Sequence, residues 1–180
     1  MSEGSKREST GETRLIIALL LLITTVAVCV TVWALCFRTP NITLAPDYAP
    51  KETEAHAQMI PNDSGEQKKS EAGGGSVSLT YSNQVVIDLS DEMASLMFAN
   101  PGKSNQNVVV QIVIQDQVIV QSGTILPGRQ VTALDLLDGT ASMLTPGGYD
   151  GNFAILYYHP ESGEKAIVNT EIPIHIEVKD

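Results

Sequence analysis

The sequence predicts an all-β domain, an antiparallel β-sandwich of about 7–9 short strands, carried behind one transmembrane helix. Three observations predict it. Residues 15–37 contain no charged side chain. From residue 76 onward, apolar residues recur at every second position, which is the period of a half-buried strand. Turn residues break that pattern about every 8–12 residues, the spacing of a sandwich.

The apolar run, LIIALLLLITTVAVCVTVWALCF, is bracketed by Arg14 and Arg38. As a helix it spans about 34 Å, enough to cross a bilayer core with modest tilt. A cleaved signal peptide has an apolar region of about 7–15 residues. This run is longer, and the best small-x-small junction, Thr43-Leu44-Ala45, is followed by Pro46, which is poorly accepted at a cleavage site. Cys29 follows Val28 and Cys36 follows Leu35, so neither fits a lipoprotein signal. The reading is an uncleaved signal-anchor, with the lipid bilayer as the partner of residues 15–37.

Orientation follows from the cations. Lys6, Arg7 and Arg14 precede the run, while Arg38 and Lys51 follow it. Positive residues favour the cytoplasmic side, and acidic residues count little. Residues 1–14 are therefore expected as a cytosolic tail, and the C-terminal domain outside. Trp33 and Phe37 stand near the outer end, where aromatic rings favour the headgroup level. The expected address is a cell membrane, crossed once.

Composition shifts at Arg38. Residues 38–75 hold Pro40, Pro46, Pro50 and Pro61, then Glu66-Gln67-Lys68-Lys69, then Gly73-Gly74-Gly75. Large apolar residues are few, so a disordered tether is expected there. Residues 76–180 form the domain. It carries four cations against twelve acids, within a chain of net charge −10. An acidic domain without a basic cluster excludes nucleic acid as its partner. Both cysteines lie inside the apolar run, so the domain has no disulfide and rests on its core. That absence leans towards a bacterial surface.

Along the domain, Val77, Leu79 and Tyr81 alternate with serine and threonine, and Val85, Ile87 and Leu89 follow. Leu96 and Phe98 share a face. Asn100-Pro101-Gly102 breaks the chain. In residues 107–115, Val108, Val110, Ile112 and Ile114 line one face and Val109 and Val113 the other, the mark of a central strand. Asp116-Gln117 reads as a tight turn and 118–121 as the returning strand. Leu134 and Leu136 are core candidates. Phe153, Ile155 and Tyr157 alternate, as do Ile172, Ile174, Ile176 and Val178. Pro173 cannot donate to a ladder, so the last strand bends there or runs along an edge.

Leu144-Thr145-Pro146-Gly147-Gly148-Tyr149 resembles the tyrosine corner of immunoglobulin-like and fibronectin-III-like domains. The resemblance implies an immunoglobulin-like sandwich in which Tyr149 turns inward and its hydroxyl bonds backbone a few residues upstream. The Cys-Trp-Cys pattern of antibody domains is absent. The chain also resembles an uncharacterised group of small bacterial single-pass surface proteins with one anchor, a tether and a C-terminal sandwich. Gly73-Gly74-Gly75, Asn100-Pro101, Gln121-Ser122-Gly123, Pro127-Gly128 and Gly163-Glu164-Lys165 carry that likeness. It implies fold and address and brings no activity.

Chemistry-bearing residues are sparse. The domain has no cysteine and no Gly-x-Ser-x-Gly elbow, and His159 and His175 have no partner pattern. His56 falls in the tether. No catalytic, cofactor or metal residue is assigned, and the chain is expected not to be an enzyme. Calcium is the better metal alternative, through Asp88, Asp91 and Glu92 or Asp135 and Asp138, yet such residues are ordinary at turns. What remains is a non-catalytic interaction or structural module, an accessory subunit of a surface or envelope assembly with a protein partner. Its loops at 100–106, 137–148 and 159–165, or an edge strand, would make the contact. The alternative is a carbohydrate- or wall-binding domain, for which Tyr157 and Tyr158 are the available stacking rings.

Overall fold

In the computed structural model of the chain, residues 8–36, 46–63, 65 and 75–180 are described. The chain divides into two compact units, Met1–Asn41 and Ile42–Asp180.

The first unit contains helix α1, Glu8–Cys36. It starts seven residues earlier than the apolar run, so part of the expected tail is helical. Within it Arg14–Thr31 has a mean hydropathy of 2.5 and is long and apolar enough to cross a membrane. It is apolar on every side rather than along one stripe, which is how a helix surrounded by lipid is built. Its threonine hydroxyls are satisfied within the helix. The hydroxyls of Thr24, Thr25 and Thr31 donate back to the carbonyls of Leu20, Leu21 and Ala27 at 2.7–2.8 Å.

The second unit is an immunoglobulin-like β-sandwich. Its strands are β1 Gln58–Met59, β2 Thr80–Tyr81, β3 Gln84–Asp88, β4 Met93–Asn100, β5 Asn107–Ile114, β6 Gln117–Gln121, β7 Arg129–Asp135, β8 Gly147–Tyr158 and β9 Lys165–Lys179. They form one sheet in the order β1-β7-β4-β3-β9-β8-β5-β6, with β2 also on β4. A bridge from Val120 to Leu136 brings β6 back to β7, so the sheet curls into two facing halves. The core between the halves holds Val85, Ile87, Phe98, Val108, Val110, Ile112, Leu134, Phe153, Ile155, Ile174 and Ile176. Those are the period-two residues of the sequence, each turned to one side by the pleat.

One pair departs from the antiparallel expectation. β3 runs parallel to β9, with Gln84 opposite His175 and Asp88 opposite Lys179. Alternation sets which face is buried, and it is silent on the direction of the neighbour. The turn between β5 and β6 sits one residue earlier than expected, with Gln115 and Asp116 both at positive φ, as a two-residue hairpin turn requires.

The larger correction concerns the tether. Residues 46–63 are part of the second unit. The Tyr158 hydroxyl donates to the Pro46 carbonyl at 2.9 Å, and the Thr124 hydroxyl donates to the Pro50 carbonyl at 2.8 Å. The Glu54 carboxylate accepts the Gly123 N–H at 2.6 Å. β1 pairs with β7 through Gln58 and Met59. The Asp63 carboxylate accepts the Gly102 N–H at 2.6 Å. Ala49 covers a second small cluster of Val109, Leu156 and Tyr158 on the outer face of β5 and β8. The sandwich domain therefore begins before residue 76. The remainder of the expected tether, and Asn41-Ile42-Thr43, lie outside the described residues.

Candidate functional site

β9 is the longest strand, and its two sides are treated differently. β8 pairs with it from Lys165 to Val178. On the other side β3 accompanies it only from His175 to Lys179. The His175 N–H points to that side, donating to the Asn83 carbonyl at 2.8 Å. Backbone groups alternate along a strand, so Asn169, Glu171 and Pro173 aim the same way. Pro173 has no N–H to offer there, which fits the point where pairing with β3 stops. At the far end, Lys165 donates its N–H to the Asp47 carbonyl at 2.9 Å, and Tyr48 bridges Glu164 in antiparallel sense. Between those two closures, residues 166–173 meet no strand on this side among the described residues.

The inner face of β9 records the same break. Ile174, Ile176 and Val178 are 1–2% exposed, whereas Ile172 and Thr170 are half-buried and Val168 is 65% exposed. A register shift between Leu156 and Tyr158 gives β9 two extra residues against β8. That bulge pushes Ile167 fully into solvent, at 103%. Beside it lies a cleft of about 620 Å³ lined by Gly75, Val77, Gln106, Tyr157, His159, Glu164 and residues 165–168. Its lining combines apolar Val77, Ala166, Ile167 and Val168 with polar Gln106, His159, Glu164 and Lys165. Such an arrangement can seat an extended chain: backbone donors and acceptors on one wall, apolar side chains below.

The loops at 100–106 and 159–165 both reach this cleft, through Gln106 and through His159, Glu164 and Lys165. The loop at 137–148 does not. Gly147 pairs with Val178, so that loop stands at the opposite end.

The three histidines are not brought together. His159 Nδ1 accepts the N–H groups of Glu161 and Ser162 at 3.3 Å, closing its own turn. His175 Nδ1 lies 2.9 Å from Asp150 Oδ1 on the outer face. His56 Nε2 lies 3.2 Å from Asp135 Oδ2. Asp88 Oδ1 accepts the Ser90 hydroxyl at 2.6 Å and the N–H groups of Ser90 and Asp91. The Ser90 hydroxyl, then the Asp91 N–H, hold its carboxyl below the usual carboxylate range. Its oxygen is thus committed to a turn. Among the described residues no three His, Cys, Asp or Glu side chains gather as a metal site would need.

Tyr157 and Tyr158 are not stacking platforms. They are 8% and 0% exposed, and each hydroxyl is held, by Thr170 Oγ1 at 2.8 Å and by the Pro46 carbonyl. Burial pushes the Tyr157 hydroxyl up. Burial first, and the Asp47 carboxylate second, push the Tyr158 hydroxyl up to about 12. Tyr149 behaves as the resemblance implied. Its ring packs against the core, and its hydroxyl accepts the Thr145 N–H at 3.1 Å and donates to the Thr145 carbonyl at 3.0 Å. Its contact with the Thr145 hydroxyl, then that with the Thr145 N–H, hold its pKa below the usual tyrosine value.

Pro173 marked the last strand as bending or running along an edge, and among the described residues β9 is unpaired on its β3 side up to that residue. Sequence reasoning did not identify β3 as the neighbour beyond it.

No protein family matches the chain, and no curated protein matches it. Solved structures similar in fold include the E. coli chaperone DraB, at 14% identity over 57% of this chain and 55% of that one, with a TM-score of 0.39. The periplasmic chaperone SfaE is similar at 11% identity over 58% of each chain, with a TM-score of 0.32. AggA, the major subunit of aggregative adherence fimbriae type I from Escherichia coli, is similar at 10% identity over 63% of this chain and 99% of that one, with a TM-score of 0.29. The chain spans a little over half the length of the two chaperones. All of these likenesses are distant.

Proposed function

We propose that this chain is a membrane-anchored, non-catalytic interaction module, held on the extracytoplasmic side as an accessory subunit of a surface or envelope assembly. Support comes from an apolar helix of spanning length, a cation bias before it, and a sandwich in which no nucleophile–base pair is assembled among the described residues. The observation that carries the reading is Ile167. A wholly exposed isoleucine, next to a 65% exposed Val168 on a stretch of strand unpaired among the described residues, is apolar surface placed where a partner can cover it. The burial of Tyr157 and Tyr158 takes away the main support for a carbohydrate-binding role.

A photo-crosslinking residue at position 167, in intact membranes, should give a reproducible protein adduct. The same residue at exposed Met143, on the loop at the other end, should not. Adducts with lipid or wall material alone would overturn the reading. Protease outside intact cells should release the domain and leave residues 1–14 protected; the reverse pattern would overturn the address.

A further inference from the structure

A second groove runs between residues 48–51 and the turn at 160–163, with Asn107, Thr124 and Leu126 also lining it. Its volume is about 430 Å³, within the range of small-molecule sites. We propose that this groove is a saccharide site, taking one or two uncharged sugar rings against the Tyr48 ring, with the Asn107 carboxamide as its buried hydrogen-bonding group.

Asn107 is the leading observation. It opens β5 and stands opposite Tyr158, so it shares the outer face with Tyr158 and Val109, where Ala49 packs. It is 8% exposed, yet its carboxamide has no hydrogen-bond partner among the described residues. A buried polar group is ordinarily paired, so an unpaired one calls for a reason. Here it lines a groove, with two N–H donors and one acceptor oxygen to offer. Its neighbour Thr124 differs, since that hydroxyl is spent on the Pro50 carbonyl.

Tyr48 supplies the platform. Its backbone is held, through the bridge to Glu164 and through the Asp47 carbonyl and Ala49 N–H on either side of it. Its side chain is left 63% exposed. A fixed, uncovered ring offers an apolar face for the C–H side of a sugar and a hydroxyl at its tip. Leu126, 38% exposed, and Pro50 extend the apolar surface. Lys51 and Glu161 are exposed at the rims, one cation and one anion, and neither is ion-paired among the described residues. Lys51 can only donate, ionised Glu161 can only accept, and Asn107 does both. Sugar hydroxyls donate and accept, so one uncharged polyol can satisfy all three.

An extended peptide finds less to hold. Pro50 and Pro160 carry no N–H, and those of Ala49, Glu161, Ser162 and Gly163 are already bonded within the domain. The walls therefore offer little of the ladder that strand addition needs. The groove shares no lining residue with the cleft beside β9, and its ring is neither of the buried pair Tyr157 and Tyr158. It goes beyond the interaction reading above and does not depend on it.

The test passes the full chain in nanodiscs over an array of uncharged disaccharides (maltose, cellobiose and N,N′-diacetylchitobiose among them), sialylated and sulfated glycans, and proline-rich and apolar peptides. Retention on at least one uncharged saccharide is expected, and titration with it gives the affinity. Tyr48→Ala should weaken binding about tenfold. Tyr48→Phe, which keeps the ring, should weaken it less. Asn107→Ala should weaken it about fivefold, the worth of one or two hydrogen bonds. Tyr81→Ala, at another exposed tyrosine on β2, should leave it unchanged. Thermal melts confirm that each variant folds, and if Asn107→Ala does not, the exposed Tyr48 variants decide the matter. No retention of uncharged saccharides, retention of charged glycans or peptides alone, or equal losses in Tyr48→Ala and Tyr81→Ala would overturn the proposal.

Discussion

The ring of Phe98 meets the ring of Phe153 edge-on, with centroids 6.1 Å apart and planes at 68°. Phe98 belongs to β4 and Phe153 to β8, so the contact joins the two facing halves of the curled sheet, and neither ring is exposed. Phe153→Ala should cost about 3–5 kcal/mol, from lost burial and the cavity left behind. A double-mutant cycle with Phe98→Ala should return a coupling of about 0.5–1.5 kcal/mol, the usual worth of an aromatic pair. Denaturant unfolding followed by circular dichroism measures both. Strict additivity would mean that the rings fill space without interacting.

Tyr149→Phe should lower the melting temperature by a few degrees. It removes the hydroxyl that bonds both the N–H and the carbonyl of Thr145 and pins the turn entering β8. A scan of the two proteins side by side decides it, and coincident melts would show the turn holding without the corner.

The Tyr158 hydroxyl predicts an alkaline limb of instability. In the unfolded chain this group ionises near its ordinary value of 10.0, and in the folded domain near 12. The folded state thus holds the proton more tightly, so the contribution is complete below about pH 10 and is lost as pH rises towards 12. The raised Tyr157 hydroxyl acts in the same direction. Melting temperatures from pH 8 to 12 should fall above about pH 10, and Tyr158→Phe should flatten the fall. A flat profile in the parent domain would contradict the burial of both hydroxyls.

Docking of residues 46–63 should depend on Gly123. A Cβ there would stand 2.9 Å from the backbone of Glu54, too close for either to keep its place. Gly123→Ala should therefore loosen the segment, and Glu54→Ala should do so more mildly by removing the acceptor of the Gly123 N–H. Limited trypsin digestion reads this out at Lys51, where cleavage should quicken in both variants and most in Gly123→Ala. Unchanged cleavage would mean that β1 and Tyr158 hold the segment unaided.

Much of the domain was legible because side-chain alternation reports burial directly. The stripe Val108, Val110, Ile112 and Ile114 marked β5 as central, and it lies between β6 and β8. Leu134 and Leu136 were named as core and Leu96 and Phe98 were placed on one face, and all four are buried. Val109 needed a cover that the pattern could not identify. Its cover is Ala49, from a segment that looks like linker because its contacts run through the Pro46 and Pro50 carbonyls. Backbone acceptors exist at every residue, so composition cannot flag which are used. The parallel course of β3 beside β9 was illegible for a related reason: a period of two says which way side chains point and nothing about which strand lies alongside.

Pro173 also bears on how this domain keeps its own kind away. A row of unpaired strand groups is a template on which other chains can stack, and stacking needs an unbroken series of donors. Here the series is cut at Pro173, where the pyrrolidine ring stands in place of an N–H, only two residues before β3 resumes the pairing. The bulge at residues 166–168 bends the other end. Only a short span of straight ladder is left between them. A fibril growing from that span would lose register within a few residues, so a strand half-open among the described residues need not seed aggregation at high local concentration.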